Sequence, residues 1–131
     1  RAMDLGIEWI WGRIFSLYGK YEPTGRMLPD LVASLQAGKD FYMQSDGQQN
    51  WDYLNVIDGA EALIALGEKG RSGEIYNIAS GKYKPLKEFI EDIQKVINSE
   101  AKVYYAEGKK ALFSLQVDVS KIVCDTGWKA N

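Results

Sequence analysis

Histidine is absent from this 131-residue sequence, and cysteine occurs once, at position 124. Without histidine the chain cannot form a Ser-His or Cys-His nucleophile pair, and we expect no metal site in it. A single cysteine excludes an internal disulfide, which is consistent with a reducing cytoplasm. We expect Cys124 to be a small core residue rather than a reactive thiol.

Long apolar runs and an excess of positive charge are also missing. The sequence has no stretch long enough for a membrane-spanning helix and no signal-peptide pattern. It carries 16 Lys and Arg against 18 Asp and Glu, a formal net charge of −2 at pH 7. Non-specific binding to nucleic acid or to an anionic membrane needs a basic face. We therefore expect a cytoplasmic protein that binds neither nucleic acid nor membrane.

The remaining composition is that of an ordinary globular protein. Hydrophobic residues make up 46% and charged residues 26%, so a chain of this length can bury a core. Every candidate linker is short and no segment is repeated, which predicts one compact unit. The first six residues resemble the last turn of a helix with Gly6 as a left-handed cap. Since a natural chain rarely opens there, we expect an excised segment.

Strands and helices alternate in the predicted order, which indicates an α/β protein. The segment 7–15 is apolar and aromatic with few polar residues, typical of a strand buried on both faces in a parallel sheet. Shorter strands are predicted at 41–44, 51–56, 74–79 and 102–105.

Four helices are predicted from capping residues and apolar spacing. Pro29 suits the first position of a helix that Gly38 ends. Asp58 suits an N-cap, with Glu61 completing a capping box, for a helix to about residue 66. Two further helices are predicted, one opened by Pro85 with apolar residues at helical spacing to residue 97, and one from Asp118 to Gly127 and Trp128.

Motifs occur in a fixed order along the chain. They are RIFSLYG at 13–19 followed by LP at 28–29, DGQQNWDYLNVID at 46–58, EIYNIASG at 74–81, and DVSK at 118–121 leading to TGW at 126–128. This set resembles the C-terminal half of extended short-chain dehydrogenases/reductases, the NAD-dependent epimerases and dehydratases of nucleotide sugars. The family pattern is R-x-x-N-x-Y-G-P, D-G-x-Q-x-R-D-x-x-x-V-x-D, Y-N-I-G-S-G and L-G-W-x-P. One motif alone would be weak, but the set covers nearly the whole chain.

The resemblance implies a fold and a division of labour. Residues 1–131 would be the C-terminal, substrate-binding part of a Rossmann-like protein, a mixed small sheet with helices that completes a larger sheet. The glycine-rich phosphate turn and the Tyr-x-x-x-Lys pair belong to the family's N-terminal half and are not found in this sequence. The resemblance thus implies an inactive chain with no catalytic residue and no tight NAD or NADP binding. The parent protein would be an enzyme that holds NAD or NADP.

The resemblance also implies partners and site residues. The implied partners are a nucleotide sugar and the missing N-terminal half, and a homo-oligomer remains open. Phe15, Ser16 and Leu17 would lie at the cofactor, with Ser16 in place of the family's Asn beside the diphosphate. The implied substrate-binding residues are Ser16, Leu28, Phe41, Met43, Trp51 and Tyr53, with Phe41 and Met43 flanking the base and Tyr53 facing the nucleotide. Ordinary packing or turn roles remain the alternative for Phe15, Ser16, Leu17, Phe41 and Met43.

Two positions depart from the family pattern. Trp51 stands where the family has an Arg that clamps the diphosphate as a charged fork. The segment EGKKALF at 107–113 stands where the family often has Arg-Pro-Gly-Asp. Surface cations could replace these arginines, namely Lys20, Arg26, Lys109 and Lys110.

Alternatives to the enzyme hypothesis follow from these departures. A non-catalytic binding or regulatory protein of the same fold would fit the loss of both arginines. A free-standing α/β interaction domain would show no exposed apolar seam, whereas an excised segment would expose one and would self-associate or rearrange. Epimerisation, dehydration and reduction all remain open as the parent reaction.

Overall fold

The computed structural model of the chain describes residues 3–97 and 100–131. In chain order its elements are a 3-10 helix (Met3–Leu5), β1 (Trp11–Ile14), β2 (Leu17–Tyr18), α1 (Met27–Gln36), β3 (Phe41–Tyr42), β4 (Asn50–Asp52), β5 (Leu54–Asn55), α2 (Val56–Lys69), β6 (Ile75–Ile78), β7 (Tyr83–Pro85), α3 (Leu86–Ile97), β8 (Val103–Tyr104) and α4 (Ser120–Thr126). The α/β alternation is as predicted.

The chain divides into two compact units, so the prediction of one unit was wrong. The first unit contains 3–19, 52–83 and 116–131 of the described chain, and the second lies within 20–51 and 84–115. The described strands form pairs rather than one continuous sheet: β1 with β6, β2 with β5, β3 with β8, and β4 with β7. Where a register is defined, in the first three of these pairs, the strands run parallel.

The core of the first unit lies between α2, α4 and the β1–β6 pair. Its buried residues are Leu54, Ala62, Leu66, Tyr76, Ile78, Ile122 and Trp128. In β1, Gly12 allows close packing, because a Cβ there would lie 3.0 Å from Ile78 Cδ1 and 3.6 Å from Leu63 Cδ2. One face of the two strands therefore rests on α2.

The strand predicted at 7–15 differs from the structure in length and burial. It is reduced to β1, and Trp11 and Ile14 are 63% and 46% exposed. The prediction of burial on both faces was wrong for the described chain. An apolar run indicates that a strand is stable only when other segments bury its side chains. Among the described strands β1 has a single neighbour, β6, so part of its apolar surface stays exposed.

Helix α2 begins three residues earlier than predicted and ends three later. Asn55 is the N-cap, and its side-chain oxygen accepts a hydrogen bond from the Ile57 N–H at 2.9 Å. Asp58 instead accepts a hydrogen bond from the Asn131 side chain at 2.8 Å. Both residue types cap helices well, so the sequence pattern could not choose between them. Gly70 follows the last helical residue, Lys69.

The second unit places α1 and α3 beside the short β3–β8 pair, in which Phe41 lies opposite Val103. Leu31 and Leu35 of α1 are buried, as the predicted apolar stripe requires. Pro29 is the third helical residue rather than the first. This position still suits proline, because the first turn has no intrahelical acceptor for its N–H groups. Gly38 has a φ of +66° just after the helix.

The chain ends show one agreement and two differences. Gly6 has a φ of +65°, as a left-handed cap requires. The segment before it is a 3-10 helix rather than the predicted last turn of a helix. Arg1 and Ala2, which belonged to that predicted turn, lie outside the described residues. Val119 rather than Asp118 is the N-cap of α4. Cys124 is exposed, so the prediction of a core residue was wrong. None of the described helices is both long and apolar enough to cross a membrane.

Candidate functional site

The predicted cofactor segment lies at the carboxyl end of β1, in the first unit. The Phe15 N–H donates to Ile78 O at 3.1 Å, which extends the β1–β6 pairing by one residue. The Ser16 carbonyl accepts from the Leu54 N–H at 2.9 Å. The carboxyl ends of parallel strands are where α/β proteins bind ligands. Phe15 and Ser16 are thus fixed by backbone hydrogen bonds at a suitable edge.

Leu17 contributes to the core as well as to this edge. It is half-buried against the core of the first unit, and a Cβ at Gly59 would lie 3.0 Å from Leu17 Cδ2. The glycine in α2 therefore makes room for the leucine side chain. This packing is the alternative role that the sequence left open for Leu17.

Tyr53 is half-buried and stands beside an exposed tyrosine in the first unit. Its ring meets the ring of Tyr18 edge-on, with centroids 6.4 Å apart and planes at 90°. The edge-to-face arrangement is a favourable aromatic geometry. Tyr53 thus has a fixed ring beside the β2–β5 pair.

The residue between Trp51 and Tyr53 is an internal anchor. Asp52 is fully buried, and its Oδ1 accepts from the Ser80 N–H at 2.9 Å and the Ser80 hydroxyl at 2.7 Å. Its Oδ2 accepts from the Gly81 N–H at 2.9 Å. These bonds tie the DGQQNWDYLNVID motif to the EIYNIASG motif. The aspartate is structural, and the resemblance gave no indication of these partners.

Phe41 and Met43 lie on one side of the extended segment in the second unit. Their N–H groups donate to Lys102 O at 2.9 Å and Tyr104 O at 2.8 Å, so the pairing runs past the end of β3. Successive side chains of a strand alternate between faces. Tyr42 therefore points the other way, where its ring stacks on Tyr104 with centroids 5.0 Å apart.

Leu28, the remaining site residue predicted in the second unit, is the second residue of α1. It is half-buried. Its position in the first helical turn gives it a fixed backbone. The structure therefore supplies the predicted site residues in two sets, Phe15, Ser16, Leu17 and Tyr53 in the first unit and Leu28, Phe41, Met43 and Trp51 in the second.

The two departures from the family pattern meet in the second unit. The rings of Trp51 and Phe113 have centroids 5.6 Å apart, with planes tilted by 37°. The neighbouring backbones hold them together, since the Asn50 N–H donates to Ser114 Oγ at 3.1 Å and the Leu115 N–H donates to Asn50 O at 2.9 Å. Sequence reasoning did not find Phe113, because nothing in the chain pattern pairs it with Trp51.

The four candidate replacement cations are all exposed. Lys20 lies over the ring of Tyr21, with its Nζ 5.5 Å from the centroid. Arg26 precedes α1 as its N-cap residue. Lys109 enters the structure through its backbone, whose carbonyl accepts from the Asp46 N–H at 2.9 Å. None of these contacts directs a cation to a defined ligand position.

A charged network fixes α4 on the first unit. Arg71 Nε and Nη2 donate to the two oxygens of Asp125 at 2.8 and 2.9 Å. The Tyr76 hydroxyl donates to Asp125 Oδ2 at 2.8 Å. The Tyr76 hydrogen bond, followed by the Arg71 hydrogen bonds, holds the pKa of Asp125 below its usual value. The network is structural, and the described residues contain no group of three metal-binding side chains.

Comparison with solved structures defines the class of fold. The chain matches RMD from Pseudomonas aeruginosa complexed with NADPH at a TM-score of 0.87 and 20% identity, over 99% of this chain and 45% of that one. It matches UDP-glucuronic acid 4-epimerase from Bacillus cereus in complex with NAD at a TM-score of 0.84 and 19% identity, over 99% and 42%. The α/β fold of Rossmann-like epimerases is therefore confirmed.

Sequence comparison then gives the family. The model of the NAD dependent epimerase/dehydratase family matches residues 1–79, more than half of the chain, so the chain belongs to this family. It is 29% identical over 120 residues to UDP-N-acetyl-alpha-D-glucosaminuronate decarboxylase of Bacillus cytotoxicus, covering 84% of this chain and 37% of that protein. It is 30% identical over 127 residues to dTDP-glucose 4,6-dehydratase of Haemophilus influenzae, covering 86% and 37%. The resemblance is confirmed, and the chain spans about 37% of the length of these relatives.

Proposed function

We propose that this chain is the nucleotide-sugar-binding part of an NAD(P)-dependent sugar epimerase or dehydratase and works with an N-terminal NAD-binding half. Family membership supports the reaction class. The observation that carries the division into halves is the exposed strand β1, which has the predicted cofactor segment at its carboxyl end.

The face of the β1–β6 pair away from α2 is the surface that we expect the NAD-binding half to cover. Trp11 lies opposite Ile75 in the register, and these side chains are 63% and 45% exposed. A cavity of about 400 Å³ opens beside Ile75, lined in part by Arg13, Asn77 and Lys121. An exposed strand with apolar side chains is a liability unless another segment covers it. A neighbouring strand and helix from the other half would remove it.

The chain supplies only part of a dinucleotide site. The backbone N–H of Phe15 and carbonyl of Ser16 are already engaged, and Leu17 packs into the core. These residues can form one wall at the reactive end of NAD(P), but they offer no cradle for its phosphates. The cofactor supplies hydride transfer when it is bound. The chain's own part in the proposed reaction is to bind and orient the substrate.

Substrate binding is assigned to both sets of site residues. A nucleotide sugar needs flat apolar walls and a few polar groups. In the second unit Leu28, Phe41, Met43 and Trp51 provide apolar and aromatic surface. In the first unit the tyrosine hydroxyl of Tyr53 and the hydroxyl of Ser16 provide polar contacts.

A binding or regulatory protein of the same fold is the second candidate. The neutral aromatic pair Trp51 and Phe113 favours it, because a charged clamp on the diphosphate is replaced by rings. Both candidate proteins would bind a ligand. Only the enzyme would also bind NAD(P) and convert a substrate to product.

The test is a thermal-shift screen of the natural protein that contains this chain, with UDP-, dTDP-, CDP- and GDP-sugars. We expect one class of nucleotide sugar to raise Tm in a concentration-dependent manner, as a ligand of the folded state must. The matched free hexoses serve as controls and should leave Tm unchanged. A protein that responds to none of the four would contradict the proposal.

A further inference from the structure

The rings of Trp51 and Phe113 form an aromatic corner in the second unit. Their centroids lie 5.6 Å apart. Phe113 is 64% exposed, and the preceding Leu112 is fully exposed. Large apolar side chains that remain exposed together commonly mark a binding surface. The corner is therefore a candidate recognition element rather than part of the core.

The corner is held in place by its backbone. Asn50, next to Trp51, donates from its N–H to Ser114 Oγ at 3.1 Å and accepts from the Leu115 N–H at 2.9 Å. Two segments far apart in sequence are thus joined next to the ring contact. Preorganised rings bind a ligand at a lower entropic cost than mobile ones.

The chemistry of the corner selects rings rather than phosphates. An indole and a phenyl ring carry no charge, and the indole offers one N–H donor. A guanidinium, by contrast, forms paired charge-assisted hydrogen bonds to a phosphate. The resemblance implies an arginine at position 51 and another in the segment 107–113. This chain instead has aromatic rings in contact there, those of Trp51 and Phe113. A flat ring face is the ligand feature that two such rings can bind.

We propose that the aromatic corner binds the face of a ring of the nucleotide sugar and replaces a charged contact to its diphosphate. This inference rests on the proposed function, since it names how the same ligand is selected. The base and the sugar ring share the required chemistry. Affinity should therefore depend on the ring and only weakly on salt.

The test measures ligand affinity by calorimetry on the natural protein, at low and high salt. The ligand is the nucleotide sugar found in the thermal-shift screen. We expect Trp51→Ala to weaken its binding by about tenfold or more, the scale of a lost ring stack. Trp51→Phe should stay within about threefold, because it keeps a ring. Trp51→Arg should strengthen binding of inorganic pyrophosphate and steepen the salt dependence.

The control is Tyr42→Ala, which removes an exposed stacked ring of the same unit outside the proposed site. It should leave the affinity unchanged. Two partial ligands show whether the corner binds the base or the sugar ring. Trp51→Ala should weaken binding of the nucleoside monophosphate if the base is bound, and binding of the sugar 1-phosphate if the sugar ring is bound. Unchanged affinity in Trp51→Ala, with clear binding by the natural protein, would overturn this inference and leave the proposed function intact. Absence of any nucleotide-sugar binding by the natural protein would overturn both.

Discussion

The Asp52 carboxylate receives two hydrogen bonds from Ser80, one from its N–H at 2.9 Å and one from its hydroxyl at 2.7 Å. The other carboxylate oxygen accepts from the Gly81 N–H at 2.9 Å, and Asp52 is fully buried. One side chain therefore satisfies three donors. This relationship links the motif that carries Trp51 and Tyr53 to the turn after β6.

Asp52→Ala should be strongly destabilising. The substitution removes three charge-assisted hydrogen bonds from Ser80 and Gly81 to a fully buried carboxylate, so we expect the free energy of unfolding to fall by roughly 3 kcal/mol. Ser80→Ala removes a hydroxyl that donates to Asp52 and accepts from the Lys82 N–H at 2.9 Å, but it leaves both backbone bonds to Asp52, so it should cost only about 1–2 kcal/mol. Urea unfolding of both variants measures the difference. Equal losses would show that the backbone bonds to Asp52 contribute nothing.

Gly81→Ala should cost more than Gly108→Ala. Both glycines have a positive φ, +71° and +73°, so an alanine is strained by about 1–2 kcal/mol at either position. At Gly81 a Cβ would also lie 2.6 Å from Val119 Cγ2, whereas at Gly108 it would meet no atom within 4 Å. Overpacking should add roughly 1–3 kcal/mol at Gly81 alone. Thermal unfolding of the two variants side by side gives the comparison, and equal Tm values would contradict it.

Stability should fall in acid through Asp125. Its pKa is lowered in the folded chain by the Tyr76 hydrogen bond and then by Arg71. A carboxylate whose pKa is lowered by folding stabilises the protein above its unfolded pKa, and the contribution disappears as pH falls through the folded pKa. The loss should therefore appear below about pH 4.

Urea midpoints measured at a series of pH values between about 6 and 3 test this prediction. Tyr76→Phe removes the hydroxyl that does most to lower the pKa of Asp125, so it should flatten the acid dependence. Asp125→Asn should flatten it further, and the slope that remains belongs to Glu74, Asp92 and Asp118, whose pKa values are also lowered. An unchanged slope in both variants would contradict the assignment to Asp125.

The 131-residue chain by itself should self-associate through β1. Trp11 and Ile14 are exposed on a strand that has β6 as its single neighbour among the described strands. Trp11→Lys should reduce association, because a charged side chain protects a strand edge. Tyr42→Lys places the same charge on the other unit and should have no such effect. Analytical ultracentrifugation of the three proteins gives the answer, and a monomeric wild type at all concentrations would contradict it.

The sequence predicted those features that local pattern determines. The apolar spacing after Pro85 predicted α3, and the order of motifs predicted the family. It could not distinguish Asn55 from Asp58 as the cap of α2, because both side chains can perform that role. It also placed Cys124 in the core although the residue lies on the exposed side of α4.

Features that depend on tertiary neighbours could not be predicted. An apolar run such as 7–15 indicates that another segment must bury its side chains but not which segment does so. The strand was therefore expected to be buried in a parallel sheet or, in an excised chain, to form an exposed apolar seam, and β1 is exposed. The contact between Trp51 and Phe113 joins residues far apart in sequence, and no periodicity links them. The individual residues of the candidate site could thus be predicted from the sequence. The contact of Trp51 with Phe113, which joins the two departures from the family pattern, could be found only in the structure.

The most direct test of the central claim is to denature the purified natural protein and quantify the NAD(H) and NADP(H) that it releases. The account predicts close to one dinucleotide per protein from the natural protein and none from the 131-residue chain alone, because the proposed function assigns the phosphate cradle to an N-terminal half. A natural protein that releases no dinucleotide, and binds none when it is added, would contradict the account and leave a binding or regulatory role as the better explanation.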